Sequence, residues 1–126
     1  MRDVEMFTEM TGDRNPVHYD VELATSSFGG LIVQGSVTTG LLNAVVAEDL
    51  PGPGTVFLET NWRFVKAVRV GETIVASVKV EQVRDDKPIT KLRTTVTRDD
   101  GVVALEGTAV CYTMALGTHG SNNSVR

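Results

Sequence analysis

A chain of 126 residues with a formal net charge of −4 has the size of one ordinary domain, large enough for a single hydrophobic core. Its acidic balance leaves no electrostatic footprint for bulk binding of nucleic acid or of an anionic membrane surface. The start, Met1-Arg2-Asp3-Val4-Glu5-Met6-Phe7, mixes charge with apolar residues where a secretory signal needs an apolar run, and no stretch is long enough to span a bilayer, so a cytoplasmic protein is expected.

Over Asp3 to Met10 the apolar positions Val4, Met6, Phe7 and Met10 recur at helical spacing, with Asp3, Glu5 and Glu9 elsewhere on the wheel. This predicts a short amphipathic helix with those four residues inward, ended by Gly12. Asp13 then leaves the helix end, and Asn15-Pro16 bars a continuous helix, because proline fixes its own φ and pushes the residue before it out of the α region. The result is a rigid turn in which the Asp13 carboxylate, the Asn15 amide and His18, one of two histidines, can converge as general acid/base chemistry requires.

Asp20 to Phe28 reads as a second short helix, with Asp20 as N-cap, Leu23 and Ala24 inward, and Gly29-Gly30 ending it. Leu31-Ile32-Val33 is an apolar run too short to stand alone. From Gly35 to Leu50 the chain is nearly uncharged until Glu48 and ends at Pro51-Gly52-Pro53-Gly54, which predicts a central helix buried on most sides.

Four β-rich stretches follow: Thr55 to Val68, Thr73 to Val83, Thr90 to Thr97 and Val102 to Tyr112. Gly71-Glu72, Asp85-Asp86-Lys87-Pro88 and Asp99-Asp100-Gly101 punctuate them as turns, so consecutive strands are expected to pair as an antiparallel meander. Cys111, the single cysteine, excludes an internal disulfide and a cysteine-rich zinc site, and beside Ala109, Val110 and Tyr112 it reads as a small core residue. From Leu116 onward no periodicity remains. Residues 116–126 are therefore expected to form a disordered tail with His119 exposed and an idle Asn122-Asn123-Ser124 sequon, leaving 1–115 as one domain. A buried helix with a bent antiparallel sheet around it is an α+β arrangement, and its open sheet edges make a homodimer the economical expectation.

Taken alone, the site residues have ordinary readings. His18 can serve a turn hydrogen bond and Asp13 a helix cap. A metal held by Asp13, His18 and Asp20 lacks a further histidine in the ordered chain, so no metal is expected. Gly35, at a helix start, is either a tight packing point or the place where a ligand oxygen approaches a backbone N–H aligned with the helix dipole. Trp62 and Phe64, two apart on a strand, read as core or interface.

The string Phe7-Thr8-Glu9-Met10-Thr11-Gly12-Asp13-Arg14-Asn15-Pro16-Val17-His18-Tyr19-Asp20 resembles the hydratase-2 motif of the MaoC-like, (R)-specific enoyl-CoA hydratase family. The similarity continues through Phe28 to Gly35, Phe64 to Glu72 and Arg84 to Pro88, so that it spans most of the chain up to Thr113. The resemblance implies a hot-dog fold, a dimer, and reversible syn addition of water to a trans-2-enoyl thioester, giving the (R)-3-hydroxyacyl product. No cofactor is implied, coenzyme A being part of the substrate. Asp13 and His18 are implied to hold one water between them and to transfer its proton and hydroxyl, Asn15 to orient them, and the Gly35 amide to meet the thioester oxygen. Gln34, Ser36 and Asn43 are implied as substrate contacts. Arg14, Arg63, Lys66 and Arg69 could meet the nucleotide phosphates, with a solvated surface role as the default for each.

The chain departs from the family pattern in four places. Gln34 stands where a histidine commonly precedes the helix glycine, Asn43 where a small hydroxyl residue is frequent, and Ala67 where proline is usual. The chain also opens on a helix where the family usually has a strand first, so a sheet that is shorter or supplied differently is expected. A hot-dog thioesterase, a dehydratase acting on carrier-protein substrates and a non-catalytic acyl-CoA-binding module are the alternative functions.

Overall fold

In the computed structural model, which describes residues 1–116, the first helix, α1 (Arg2–Thr11), stops where its sequence requires. Gly12 takes a φ of 81°, a left-handed conformation that costs glycine no Cβ clash, and its N–H bonds to the Thr8 carbonyl at 2.7 Å. A single 3-10 turn, Pro16–His18, follows, then α2 (Val21–Phe28), with Asp20 accepting from the Leu23 N–H at 3.1 Å as its N-cap. The long helix is α3 (Gly35–Glu48).

Two faces differ from the sequence expectation. On α1 the buried residues are Val4 and Thr8, one helical turn apart, while Met6 and Met10 are exposed. A polar residue lies inside because its hydroxyl is fully hydrogen-bonded, to Asp13, Tyr19 and Gln34. On α2, Ala24 is buried and Leu23 is exposed, because the Asp20 cap and a short helix leave only one residue facing the interior.

Among the described residues four strands form one antiparallel sheet: β1 (Thr55–Phe64), β2 (Ile74–Val83), β3 (Ile89–Arg98) and β4 (Val103–Thr113). Their spatial order is β1-β4-β3-β2, so the simple meander is overturned at its first link. β2, β3 and β4 do run as a meander through tight turns, but β1 pairs with β4, and the chain crosses from one edge of the sheet to the other over residues 65–73. The expected first strand, drawn to Val68, stops at Phe64: the N–H groups of Val65 and Lys66 turn to the Ala104 carbonyl at 2.8 and 3.1 Å.

The crossing segment explains Leu31-Ile32-Val33. Ile32 bridges Arg69 in antiparallel sense, the Val33 N–H bonds to Val68 O at 2.9 Å, and the Val70 N–H to Leu31 O at 2.8 Å. An apolar run too short to stand alone gains its partners from the β1–β2 connection.

The sheet bends around one side of α3. Thr38, Leu42 and Val46, spaced by four, are buried against it, and Leu42 packs with Val96 and Leu105 while Val46 packs with Leu92, Ala109 and Cys111. Trp62 joins both groups and meets Phe57 edge-on, ring centroids 5.8 Å apart. The other side of α3, with Ser36, Gly40, Asn43 and Ala44, is exposed, so the helix is not buried on most sides. Its lack of charge reflects small residues rather than a surrounding wall. Cys111 sits in the core as expected, and burial pushes its thiol pKa up. At Gly107, paired with Trp62 of β1, a Cβ would clash with the Asn61 carbonyl oxygen. The tail expected from residue 116, with His119 and the sequon, lies outside the described residues apart from Leu116.

Candidate active site

The turn after α1 fixes Asp13 by every polar group but one. Its N–H meets Thr11 Oγ1 at 3.2 Å, its carbonyl accepts from the Thr8 hydroxyl at 2.8 Å, and its Oδ1 accepts the Asn15 N–H at 3.0 Å. The remaining oxygen, Oδ2, lies 3.9 Å from His18 Nε2. Asn15 therefore serves the carboxylate through its backbone, while its side chain caps the 3-10 turn by accepting from Val17 N–H at 3.4 Å.

His18 is buried at 6% exposure and follows directly from the Asn-Pro step, which closes the turn that turns the ring inward. Its Nδ1 lies 2.7 Å from the Ile32 carbonyl oxygen. A carbonyl can only accept, so Nδ1 carries the proton, and in the neutral ring Nε2 presents a lone pair towards Asp13. At 3.9 Å the two acceptors are not directly hydrogen-bonded. Asp20, the third member of the conceivable metal set, is turned to the α2 N-terminus instead.

Gly35 is the first residue of α3, where backbone N–H groups have no intrahelical acceptor. The Phe64 ring edge lies against it: a Cβ on Gly35 would sit 2.9 Å from Phe64 Cε1. Both readings of this glycine thus find a physical basis, a close packing contact and an available helix-terminal amide. Gly35 and Phe64 line a mainly apolar cavity of about 230 Å³, walled also by Ile32, Thr38 and Val65 to Val68. Ile32 is the residue whose carbonyl holds His18, so the cavity wall and the histidine support are one segment.

A second cavity of about 400 Å³ shares Val65, Lys66 and Ala67 with the first and adds Arg69 and Arg98. Arg69 and Arg98 both pair with Glu72, at 3.3 and 3.6 Å, and Arg98 also donates to the Ala67 carbonyl at 3.0 Å. Burial by itself raises the Glu72 carboxyl pKa, but hydrogen bonds from the Arg69 amide and guanidinium and the charge of Arg98 outweigh it and hold the value below the ordinary one. Hydrogen bonding to Asp100 raises Arg98 further. The cluster pins the connection that forms the wall of both cavities.

The remaining sequence candidates fall elsewhere. Gln34 is buried at 2% exposure, with its Nε2 donating to Val4 O at 3.1 Å and to Thr8 Oγ1 at 3.3 Å, so it ties α3 to α1. Ser36 and Asn43 share the exposed side of α3, away from the Thr38 wall of the cavity. Arg63 pairs with Glu106 at 2.8 Å on the outer face of the sheet. Thr8, Tyr19 and the Ile32 carbonyl were not singled out from the sequence. Only Thr8 left a trace there, as a polar residue one turn after Val4 on the same helix face.

The MaoC-like domain family matches residues 1–102. A protein of Methylorubrum extorquens named 3-hydroxybutyryl-CoA dehydratase is 38% identical over 109 residues, covering 86% of this chain and 69% of the relative. A protein of Aeromonas caviae named (R)-specific enoyl-CoA hydratase is 35% identical over 109 residues, covering 86% of this chain and 81% of the relative. The solved structure of an (R)-hydratase from A. caviae superposes with a TM-score of 0.83 at 33% identity, covering 88% of this chain and 85% of that one. The arrangement of helices and sheet is thus the hot-dog fold that the motif implies, and the chain belongs to the MaoC-like family.

Proposed function

We propose that the protein adds water reversibly to a trans-2-enoyl-CoA thioester, giving the (R)-3-hydroxyacyl-CoA. The observation that carries this reading is the facing of two proton acceptors, Asp13 Oδ2 and His18 Nε2, at 3.9 Å. A water about 2.8 Å from each would subtend roughly a right angle, so it can donate one hydrogen to each and keep its oxygen lone pairs for the substrate.

As that oxygen bonds to carbon 3, one of its protons passes to the pair, and the electrons of the double bond shift towards carbon 2 and the thioester oxygen. The Gly35 N–H meets the developing charge at the oxygen, aligned with the α3 dipole. A proton returned from the pair to carbon 2 completes the addition and restores the enzyme.

Two features support an acyl-CoA as the substrate. The cavity beside Gly35 has the mainly apolar lining that an acyl chain requires, and the adjoining cavity carries Lys66, Arg69 and Arg98, cations that a polyanionic nucleotide tail can meet. The relatives from M. extorquens and A. caviae carry CoA-thioester activities in their names. The edge strands present exposed Val56 and Leu58 on β1 and Val75 and Val83 on β2, which supports assembly as a homodimer.

The test is hydration of crotonyl-CoA and octenoyl-CoA, followed as loss of enoyl-thioester absorbance. Turnover of either by the folded protein is expected. No turnover with either, together with release of free thiol or activity only on a carrier-bound enoyl chain, would replace the hydratase reading by a thioesterase or a carrier-protein dehydratase. Binding of acyl-CoA without any reaction would make the protein a non-catalytic module.

A further inference from the structure

Thr8 touches Asp13 itself and the neighbours of both other site residues: Tyr19, which follows His18, and Gln34, which precedes Gly35. A threonine hydroxyl has one hydrogen and two lone pairs. The hydrogen goes to the Asp13 carbonyl at 2.8 Å. One lone pair takes the Gln34 Nε2 hydrogen at 3.3 Å, and the other receives the Tyr19 hydroxyl, which must be the donor because Thr8 has no second hydrogen. The group is saturated, and it is buried at 4% exposure with Gln34 at 2%.

The three hydrogen bonds on its hydroxyl hold the Thr8 side chain in one orientation, and the Thr8 carbonyl already accepts the Gly12 N–H at 2.7 Å. One residue therefore holds the backbone on both sides of the left-handed glycine that aims Asp13. Gln34, bonded also to Val4 O at 3.1 Å, fixes the start of α3 to the same helix.

We propose that Thr8 is the positioning residue of the site. Its hydroxyl sets the Asp13–His18 separation and registers that pair against the Gly35 amide, with Tyr19 and Gln34 as its two supports. This rests on the hydratase reading for its kinetic expression but not for its geometry. Gln34, in the position expected to contact substrate, acts through this junction as a brace between helices.

Thr8→Val removes the hydroxyl at nearly constant shape, Thr8→Ser retains it, and Tyr19→Phe removes one support. Two measurements decide the matter: kcat and KM for crotonyl-CoA hydration, and exchange of the Asn15 amide, whose hydrogen is held by Asp13 Oδ1. In Thr8→Val, kcat is expected to fall by about ten- to a hundredfold with KM within about twofold, as displacements near 1 Å produce. Asn15 exchange is expected to quicken. Thr8→Ser should recover most of kcat and the parent's exchange rate. Parent-like kcat and exchange in Thr8→Val would overturn the proposal, as would equal losses in Thr8→Ser. If Thr8→Val does not fold, Tyr19→Phe decides by the same two readouts: a lowered kcat with faster exchange supports the proposal, and parent-like values overturn it. If the parent itself hydrates no enoyl-CoA, the functional reading fails while the exchange comparison still tests the junction.

Discussion

Asp13 Oδ2 and His18 Nε2 face each other across 3.9 Å, each fixed by a backbone group on its other atom: the Asn15 N–H on Asp13 Oδ1 and the Ile32 carbonyl on His18 Nδ1. Neither side chain can turn away without losing a hydrogen bond. The separation is therefore held from both sides, by the turn on Asp13 and by the segment after α2 on His18, and the variants of these two residues should behave differently.

Asp13→Asn keeps an oxygen for the Asn15 N–H but removes the charge and one acceptor role. Hydration should fall by about 10²–10⁴-fold, with the melting temperature changed little. His18→Ala should match that loss and also destabilise the fold by about 1–3 kcal/mol, because the part-buried Ile32 carbonyl loses its donor. Calorimetry beside the crotonyl-CoA assay separates the two effects.

Gly35→Ala separates packing from chemistry. The new methyl would meet the far edge of the Phe64 ring at 2.9 Å, and that ring is 58% exposed and free to yield. Alanine also favours the helix, so the net stability change should stay within about 1 kcal/mol. Activity should nevertheless fall by at least about tenfold, since the methyl stands where the thioester oxygen must approach the amide. Gly35→Ala with Phe64→Leu should recover any lost stability and not the rate. Recovery of both would make Gly35 a packing residue only.

Glu72 gives the fold a dependence on acid. Its folded-state pKa lies below the ordinary glutamate value, so its stabilising contribution is complete above that ordinary value and is lost as pH falls through the lower folded one. Urea titrations from pH 6 down to pH 3 should show stability falling across the acid end. Glu72→Gln should be less stable at pH 6 and show a shallower acid fall. The cavity wall at Ala67 should loosen with it, raising KM more than it lowers kcat.

Gly107→Ala drives a Cβ into the Asn61 carbonyl oxygen, where backbone has to move rather than a side-chain tip. A loss of at least about 2 kcal/mol is expected, from parting β1 and β4. A denaturant midpoint equal to the parent's would mean that the strands can separate there at no cost.

Local features were readable from the sequence where a steric rule acts within a few residues. The left-handed glycine at Gly12, the Asp20 cap, the break at Asn15-Pro16 and the start of α3 at Gly35 all stand where expected. The convergence of Asp13 and His18 followed from that break, because a proline between the two residues leaves few paths for the chain. The faces of α1 were misread because hydrophobic spacing counts Met6 and Met10 as inward, and a buried threonine violates that count unless its hydrogen bonds are known.

Residues close in the chain sufficed for the Gly12 and Gly29 helix stops, the Asp20 cap, the motif turn, the start of α3 and the four β-rich stretches, and the MaoC-like resemblance was carried by short motifs. The tertiary structure alone decided that β1 lies beside β4, that Leu31–Val33 pairs with Val68–Val70, that Gln34 braces α1 and that Phe64 covers Gly35. A period of two tells a strand which side chains share a face and nothing about which strand is its neighbour, because pairing is set by hydrogen-bond partners distant in sequence and by the shape of the core between them.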